Sequence, residues 1–303
     1  MELHADLVPI DDGRWRLISQ NGRCCTLIDP PEAWLKNLHY RCQGHPEPLD
    51  EALESALAGN DWLTDAHGTG RVIVIGGGLL AAETALALAQ AGLIVRVSAP
   101  DAAAVTIDPK GLHTSGAAAV RAWVRHRMPT ADVEATTHWT SATTGAAALV
   151  VVATDTVQPD RAIVDHLARQ WLPYLVVRAH HDTAVVGPLV DHRSGPCLAC
   201  LDLAMADHDP LWTRTLVGLI THPALPNPSA AHWAASQAAL EAAWFVRGAG
   251  TTLDSLTLEI ELGQSGVARR RWQPHTDCAC QFTLGRQSVI SLSSLQQPVR
   301  AAA

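Results

Sequence analysis

The feature that most constrains the fold is a short apolar run that ends in three glycines. Val72–Ile75 is typical of a buried strand, Gly76-Gly77-Gly78 allows a tight turn, and Leu79–Ala91 predicts an Ala- and Leu-rich helix. Leu93–Val97 then predicts a second strand. A strand, a crossover helix and a strand at this spacing form a βαβ unit, which favours a parallel sheet.

The glycine loop has two interpretations. It fits the pattern G-x-G-x-x-A, in which Gly76 and Gly78 let a phosphate approach the backbone at the start of a helix. Alternatively, the glycines only make the tight turn between the strand and the helix. A dehydrogenase is disfavoured, because Ser98-Ala99-Pro100 stands where an acidic residue would bind the ribose of a dinucleotide.

Two cysteine pairs are the strongest indication of a bound group. Cys197-x-x-Cys200 and Cys278-x-Cys280 supply four thiolates, which is the ligand set of a tetrahedral structural zinc site. Since 77 residues separate Cys200 from Cys278, such a site would join two distant segments. Four unligated cysteines, or a redox pair, are the alternatives.

The first 65 residues predict a small module of their own. Trp15–Ser19 and Cys24–Ile28 are typical of a β-hairpin. Two short helices follow, the first with Asp29 as its expected N-cap. This order of elements resembles a small winged-helix module.

Residues 71–290 predict one α/β domain, a mostly parallel Rossmann-like sheet with helices on both faces and a zinc knuckle. Beyond the first βαβ unit, further strands are predicted at Leu149–Ala153, Tyr174–Arg178, Ala184–Val190 and Leu256–Glu261. Further helices are predicted at Ala117–Arg127, Ala162–Gln170 and Ala230–Val246. Residues 291–303 are expected to form a tail.

Composition excludes several classes of protein. Hydrophobic residues make up 48% of the 303 residues and charged residues 17%, which allows a sizeable core and excludes a mainly disordered chain. A formal net charge of −8 disfavours a nucleic-acid partner. No apolar run approaches the ~18–20 residues that span a bilayer, and no secretory signal is visible. We therefore expect no membrane partner and a cytoplasmic location.

The glycine loop and the late cysteine pairs together resemble the ThiF/MoeB/ubiquitin-activating superfamily. The closer resemblance is to the leader-peptide-binding partners of thiazole/oxazole-modified microcin (TOMM) cyclodehydratases. It spans the chain from Arg71 to Cys280. Four stretches carry the closer resemblance: Gly187–Val190, Gly195–Leu203, Asp209–Trp212 and His275–Cys280.

The resemblance implies a nucleotide site that has lost its catalytic groups. Adenylating members of the superfamily hold ATP and its metal with an acidic pair after the second strand, an Asn-Leu-x-Arg-Gln segment and a lysine. In this chain Ser98-Ala99-Pro100 replaces the acids, and Arg121 stands near the place of the lysine. Asp155 matches the later metal-binding aspartate, so Gly76, Gly78 and Asp155 are candidates for a vestigial nucleotide site. We expect no ATP cofactor and no catalytic residue.

The function that the resemblance implies is that of a non-catalytic scaffold. It would bind the leader of a ribosomally made precursor peptide and present the peptide to a separate YcaO-type cyclodehydratase, which forms azolines. A homodimer is implied as well. Two alternatives stay open: an ATP-dependent adenylyltransferase that activates the carboxyl terminus of a peptide or carrier protein, and a nicotinamide- or flavin-binding oxidoreductase.

The leader is expected to add as a strand to the edge of the N-terminal hairpin, as in the recognition modules that this hairpin resembles. Strand addition lets the backbone supply affinity while alternate side chains supply selectivity. The candidate peptide-binding residues are Arg23, Cys24, Cys25, Thr26, Leu27 and Ile28. Asp61–Leu63 is the expected opposing wall. Alternatively, the hairpin only caps one face of the α/β domain.

Overall fold

The computed structural model describes most of the chain. The described residues are 2–3, 5–19, 24–43, 45, 48–58, 63–64, 70–99, 107–108, 110–136, 138, 147–192 and 195–280. The chain divides into two compact units, Met1–Gly68 and Thr69–Ala303. The first unit has one cluster of buried apolar side chains, and the second unit has two.

The first unit consists of short strands and two helices. In chain order its elements are β1 (Glu2–Leu3), β2 (Ala5–Asp11), β3 (Arg14–Ser19), β4 (Cys24–Ile28), α1 (Glu32–Cys42), α2 (Glu51–Ala58) and β5 (Leu63–Thr64). Strands β2, β3 and β4 form an antiparallel sheet in that order, and β1 pairs with β5. The predicted hairpin is therefore β3–β4, and the sheet has β2 as an additional strand.

One buried cluster holds this unit together. Leu17 on β3 and Leu38 on α1 are fully buried, and Leu53 on α2 joins them. The predicted cap at Asp29 is wrong, because α1 begins at Glu32 with Pro31 in the N-cap position. Asp29 instead adopts a left-handed conformation (φ 45°) and donates its backbone N–H to the carbonyl of Gly13, in the β2–β3 turn.

The second unit carries the larger sheet. Its elements are β6 (Arg71–Ile75), α3 (Leu79–Gln90), β7 (Ile94–Ser98), α4 (Gly116–Arg127), β8 (Val133–Thr136), β9 (Leu149–Val152), α5 (Arg161–Arg169), β10 (Tyr174–His180), β11 (Thr183–Val190), α6 (Leu198–His208), α7 (Trp212–Leu219), α8 (Pro228–Val246), β12 (Leu256–Glu261) and β13 (Ala268–Arg271).

The eight strands form one mixed sheet in the order β13-β12-β11-β10-β9-β6-β7-β8. Strands β6 to β10 pair in parallel, whereas β11, β12 and β13 are antiparallel to their neighbours. Helices α3, α4 and α8 cover one face, and α5 and α6 cover the other. The predicted mostly parallel α/β fold is confirmed. Among the described helices, none combines the length and the apolar character that crossing a membrane requires.

A buried carboxylate fixes the connection from α8 to β12. Glu241 on α8 is only 1% exposed. Its Oε2 accepts hydrogen bonds from the Thr251 hydroxyl at 3.0 Å and the Thr252 backbone N–H at 3.4 Å, while its Oε1 accepts from the Thr252 hydroxyl at 3.0 Å. Three donors from one short segment therefore converge on one side chain.

We expect Glu241→Leu to lower the free energy of unfolding by about 1–3 kcal/mol, because it leaves buried donors without an acceptor. Glu241→Gln is the matched control: it keeps the shape and one carbonyl acceptor, and the threonine hydroxyl facing its amide can turn to accept. Urea unfolding of both variants, followed by circular dichroism, measures the difference. Equal losses in the two variants would contradict this role for the carboxylate.

Candidate functional site

Four cysteines from two distant segments meet beside α6. Cys197 is the N-cap residue of α6 and Cys200 lies in its first turn, while Cys278 and Cys280 follow β13. Their sulfur atoms all lie within 4.8 Å of one another. The Sγ–Sγ distances are 3.8 Å for Cys197–Cys200, 3.6 Å for Cys197–Cys278 and 3.4 Å for Cys200–Cys280.

These distances suit a tetrahedral metal ion. A zinc–sulfur bond of ~2.3 Å places the sulfurs of a tetrahedral site ~3.8 Å apart. Cys200 and Cys278 are buried, and the other two cysteines are half-buried. His275, a conceivable competing ligand, lies outside this group and contacts the Asp207 carboxylate at 2.9 Å through Nε2. The four cysteines could therefore bind one metal ion.

The thiols of the cluster differ in the direction of their pKa shifts. Hydrogen bonding with Cys197, and with the backbone of His275, lowers the pKa of Cys200 to about 4 in spite of burial. The same bond to Cys200, together with burial, raises the pKa of Cys197, and burial raises the pKa of Cys280 to about 11. Hydrogen bonding among the sulfurs thus favours the thiolate form of Cys200. A bound cation would stabilise further thiolates, because metal binding releases the thiol protons.

Backbone contacts hold both cysteine segments in place. The N–H of Cys200 donates to the carbonyl of Cys197 at 3.0 Å, and the N–H of Cys278 donates to the carbonyl of His275 at 3.0 Å. The buried Tyr174 hydroxyl accepts the Leu198 N–H at 3.3 Å, which ties the start of α6 to β10. Both segments are therefore fixed by the protein's own contacts.

Residues Ala153 and Asp155 lie directly against the glycine loop. Gly76 has a φ of 150°, and a Cβ there would lie 2.0 Å from the Ala153 carbonyl oxygen. Gly78 is the N-cap residue of α3. The Gly77 N–H donates to Asp155 Oδ2 at 2.8 Å. A loop that binds phosphate offers such N–H groups to its ligand, whereas here the chain's own carboxylate takes one of them.

Ser98, Arg121 and Arg161 lie in three different environments. Ser98 is buried at the end of β7, and its carbonyl accepts the Gly76 N–H at 3.1 Å. Arg121 is exposed on α4. Arg161 is bound to the Asp202 carboxylate through Nε and Nη2, at 2.7 and 2.8 Å. The structure therefore brings the glycine loop and Asp155 together through the Gly77 N–H, whereas Arg121 is exposed and Arg161 is paired with Asp202.

The candidate peptide edge lies on an outer strand of the first unit. Strand β4 pairs with β3 on one side, and no other described strand of the unit pairs with its second side. Side chains alternate along it: Cys25 and Leu27 pack against the buried cluster, while Cys24, Thr26 and Ile28 are exposed. The predicted contribution of Arg23, and most of the predicted wall at 61–63, lie outside the described residues.

Comparison with solved structures identifies the architecture. Escherichia coli MccB with ATP is 14% identical, with a TM-score of 0.58 over 91% of this chain and 97% of that chain. The chain has the fold of MccB. The microcin C7 biosynthetic enzyme MccB with N-formylated MccA is 13% identical (TM-score 0.57, covering 91% and 97%). PaaA is 13% identical (TM-score 0.58, covering 89% and 99%).

Sequence comparisons add one match. A protein-family model described as "Putative NAD(P)-binding" matches residues 66–188, the stretch that begins before β6 and ends within β11. No curated protein sequence matches the chain. The predicted resemblance to the ThiF/MoeB superfamily is confirmed at the level of the fold, which the chain shares with MccB over both units.

We expect the purified protein to carry about one metal ion per chain, and Cys197→Ser to lower metal content and thermal stability together, because metal binding is coupled to folding. Cys24→Ser, at an exposed cysteine outside the cluster, is the matched control and should change neither. Elemental analysis and thermal unfolding measure both. Metal-free wild type, prepared without chelator, would refute the site.

Proposed function

We propose that this chain is a scaffold that binds the leader of a ribosomally made precursor peptide and presents the peptide to a YcaO-type cyclodehydratase. The first unit is the binding module and the second is the platform. The partner enzyme supplies ATP-dependent chemistry, and the scaffold raises the effective concentration of the peptide at the partner's active site.

The observation that carries the proposal is the outer strand β4. The side of β4 that pairs with no other described strand presents backbone donors and acceptors to an extended peptide, and its exposed residues alternate with half-buried ones. Strand addition uses such an edge, because main-chain hydrogen bonds are independent of the peptide's side chains. The fold supports a peptide ligand as well, since MccB was solved with the peptide MccA.

We also propose that the four-cysteine cluster holds Zn²⁺ in a structural role. Four thiolates favour zinc, and a site with four protein ligands leaves no open position for substrate. The ion would join the start of α6 to the segment after β13. The homodimer implied by the resemblance stays a prediction.

An ATP-dependent adenylyltransferase is the second candidate, and it is favoured by the structure of MccB with ATP. Two observations weigh against it in this chain. The Gly77 N–H is bound to Asp155, and Ser98 is buried where adenylating relatives would carry an acid. The family match to residues 66–188 would suit an oxidoreductase. This chain, however, has no acid at the position that would bind the ribose of a dinucleotide. Absorbance of a bound cofactor tests this third possibility.

Proline substitutions test strand addition at β4. Successive backbone N–H groups of an antiparallel strand alternate between its two sides, so one of Cys25→Pro and Thr26→Pro removes an outward donor and the other a donor to β3. We expect the outward variant to fold and to lose leader affinity by about tenfold. Fluorescence anisotropy with the labelled leader of a candidate precursor measures this.

Thr26→Ala is the control for that series. It keeps the backbone donor at an exposed position and should bind the leader as the wild type does. Wild-type affinity in both proline variants, with circular dichroism showing them folded, would place the leader elsewhere.

Pyrophosphate exchange separates the two candidates. We expect the isolated chain to catalyse no ATP–pyrophosphate exchange with a candidate peptide, because Asp155 alone cannot replace an acid pair and a lysine at a metal–ATP complex. Exchange that Asp155→Ala abolishes, and that Asp165→Ala at an exposed position on α5 preserves, would overturn the scaffold proposal in favour of the adenylyltransferase.

A further inference from the structure

A cavity lies on the face of the sheet that α5 and α6 cover. It has a volume of about 230 Å³. Its charged lining residues are Arg161, Arg178, Asp202, Glu259 and Arg270. Its walls also include apolar and aromatic side chains, among them Leu201, Trp212 and Trp272. None of these residues belongs to the glycine loop or to the four-cysteine cluster.

Four of the five charged groups bind one another. Arg161 and Asp202 form the bidentate pair already described, and the Trp212 indole N–H donates to the same carboxylate at 3.3 Å. Glu259 Oε1 lies 3.3 Å from Arg270 Nε. These pairs leave the cavity with one further positive charge, that of Arg178.

Arg178 is in no such close pair among the described residues, although the charges of Glu259 and Asp202 act on it. It lies on β10, with Val185 of β11 directly beside it in the sheet. Its Nε is sealed from solvent and has no hydrogen-bond partner among the described residues. Burial is the main cause that lowers the pKa of Arg178 to about 10, so the side chain is still charged at neutral pH. A guanidinium N–H that is sealed from water without an acceptor is costly unless an anion binds it.

We propose that this cavity is a carboxylate-binding site and that Arg178 is its anchor. A guanidinium matches the two oxygens of a carboxylate with parallel N–H donors. The volume lies below the ~300–1,000 Å³ of ordinary small-molecule pockets, which limits the ligand to a group of side-chain size. Beside the one positive charge in excess, the apolar walls suit the stem of an acidic side chain or the last residue of a peptide.

The two sources of such a carboxylate are a glutamate side chain and a free C-terminal carboxylate. N-acetyl-glutamate amide carries only the side-chain carboxylate, and N-acetyl-alanine carries only a C-terminal carboxylate. N-acetyl-glutamine amide has the shape of the glutamate probe without its charge and serves as the neutral control. The full chain is titrated with each probe, and with inorganic phosphate. The readout is the NMR signal of the indole N–H of Trp212 and Trp272, assigned by replacing each tryptophan with phenylalanine.

We expect saturable shifts of both indole signals with at least one carboxylate probe, and none with the glutamine amide. The probe that binds more tightly identifies the source. Arg178→Gln should weaken that binding by about tenfold or more, while Arg125→Gln, at an exposed position on α4, should leave it unchanged. If Arg178→Gln does not fold, Arg178→Lys carries the test, because it keeps the charge and loses the two-pronged donor geometry.

Three results would overturn the proposal. They are no saturable shift with either carboxylate, equal binding by a folded Arg178 variant, or binding of phosphate that is as tight as that of the carboxylates. None of them bears on leader binding at β4, because the cavity is lined by residues of the second unit alone.

Discussion

The second unit depends on one constraint: its central parallel strands must be covered on both faces. All four residues of β9, Leu149–Val152, are buried, and four of the five residues of β6 are buried as well. Burial of apolar area stabilises by roughly 25 cal/mol per Å², so the sheet is stable only with α3, α4 and α8 on one side and α5 and α6 on the other. The positions of these helices then place everything that bears on function.

At the carboxyl ends of these strands, the fold creates the place where an α/β protein binds a ligand. In this chain, other residues of the protein already contact the glycine loop at that place. Asp155 accepts the Gly77 N–H, and a side chain at Gly76 would collide with the carbonyl of Ala153. The conformation and close contacts of Gly76 are therefore explained by backbone geometry.

Two separate polar features lie on the face of the sheet that α5 and α6 cover. The four-cysteine cluster connects the first turn of α6 with the segment after β13, so one bound ion would hold an edge of the sheet to its covering helix. The cavity around Arg178 lies on the same face and has its own partners and its own charge. An ion in the first feature would join distant segments, whereas the second has one positive charge in excess of its negative charges.

The sequence by itself determined the elements whose patterns are local. Cys24–Ile28 and Leu256–Glu261 were predicted with the bounds that the structure has, because alternation and apolar runs act over a few residues. β13 was missed since all of its residues are exposed, and α7 was missed since none of its residues is buried. The spacing of the two cysteine pairs likewise indicated a metal site.

Only the tertiary structure decided which groups meet. It brings the cysteine pairs together across 77 residues and directs Asp155 to the Gly77 N–H. It also pairs Arg161 with Asp202, while the Nε of Arg178 has no hydrogen-bond partner among the described residues. None of these contacts has a local signature, because each depends on the path of the chain between its partners. Contact between distant residues is fixed by how helices and strands pack, whereas sequence periodicity reports only which face of each element is buried.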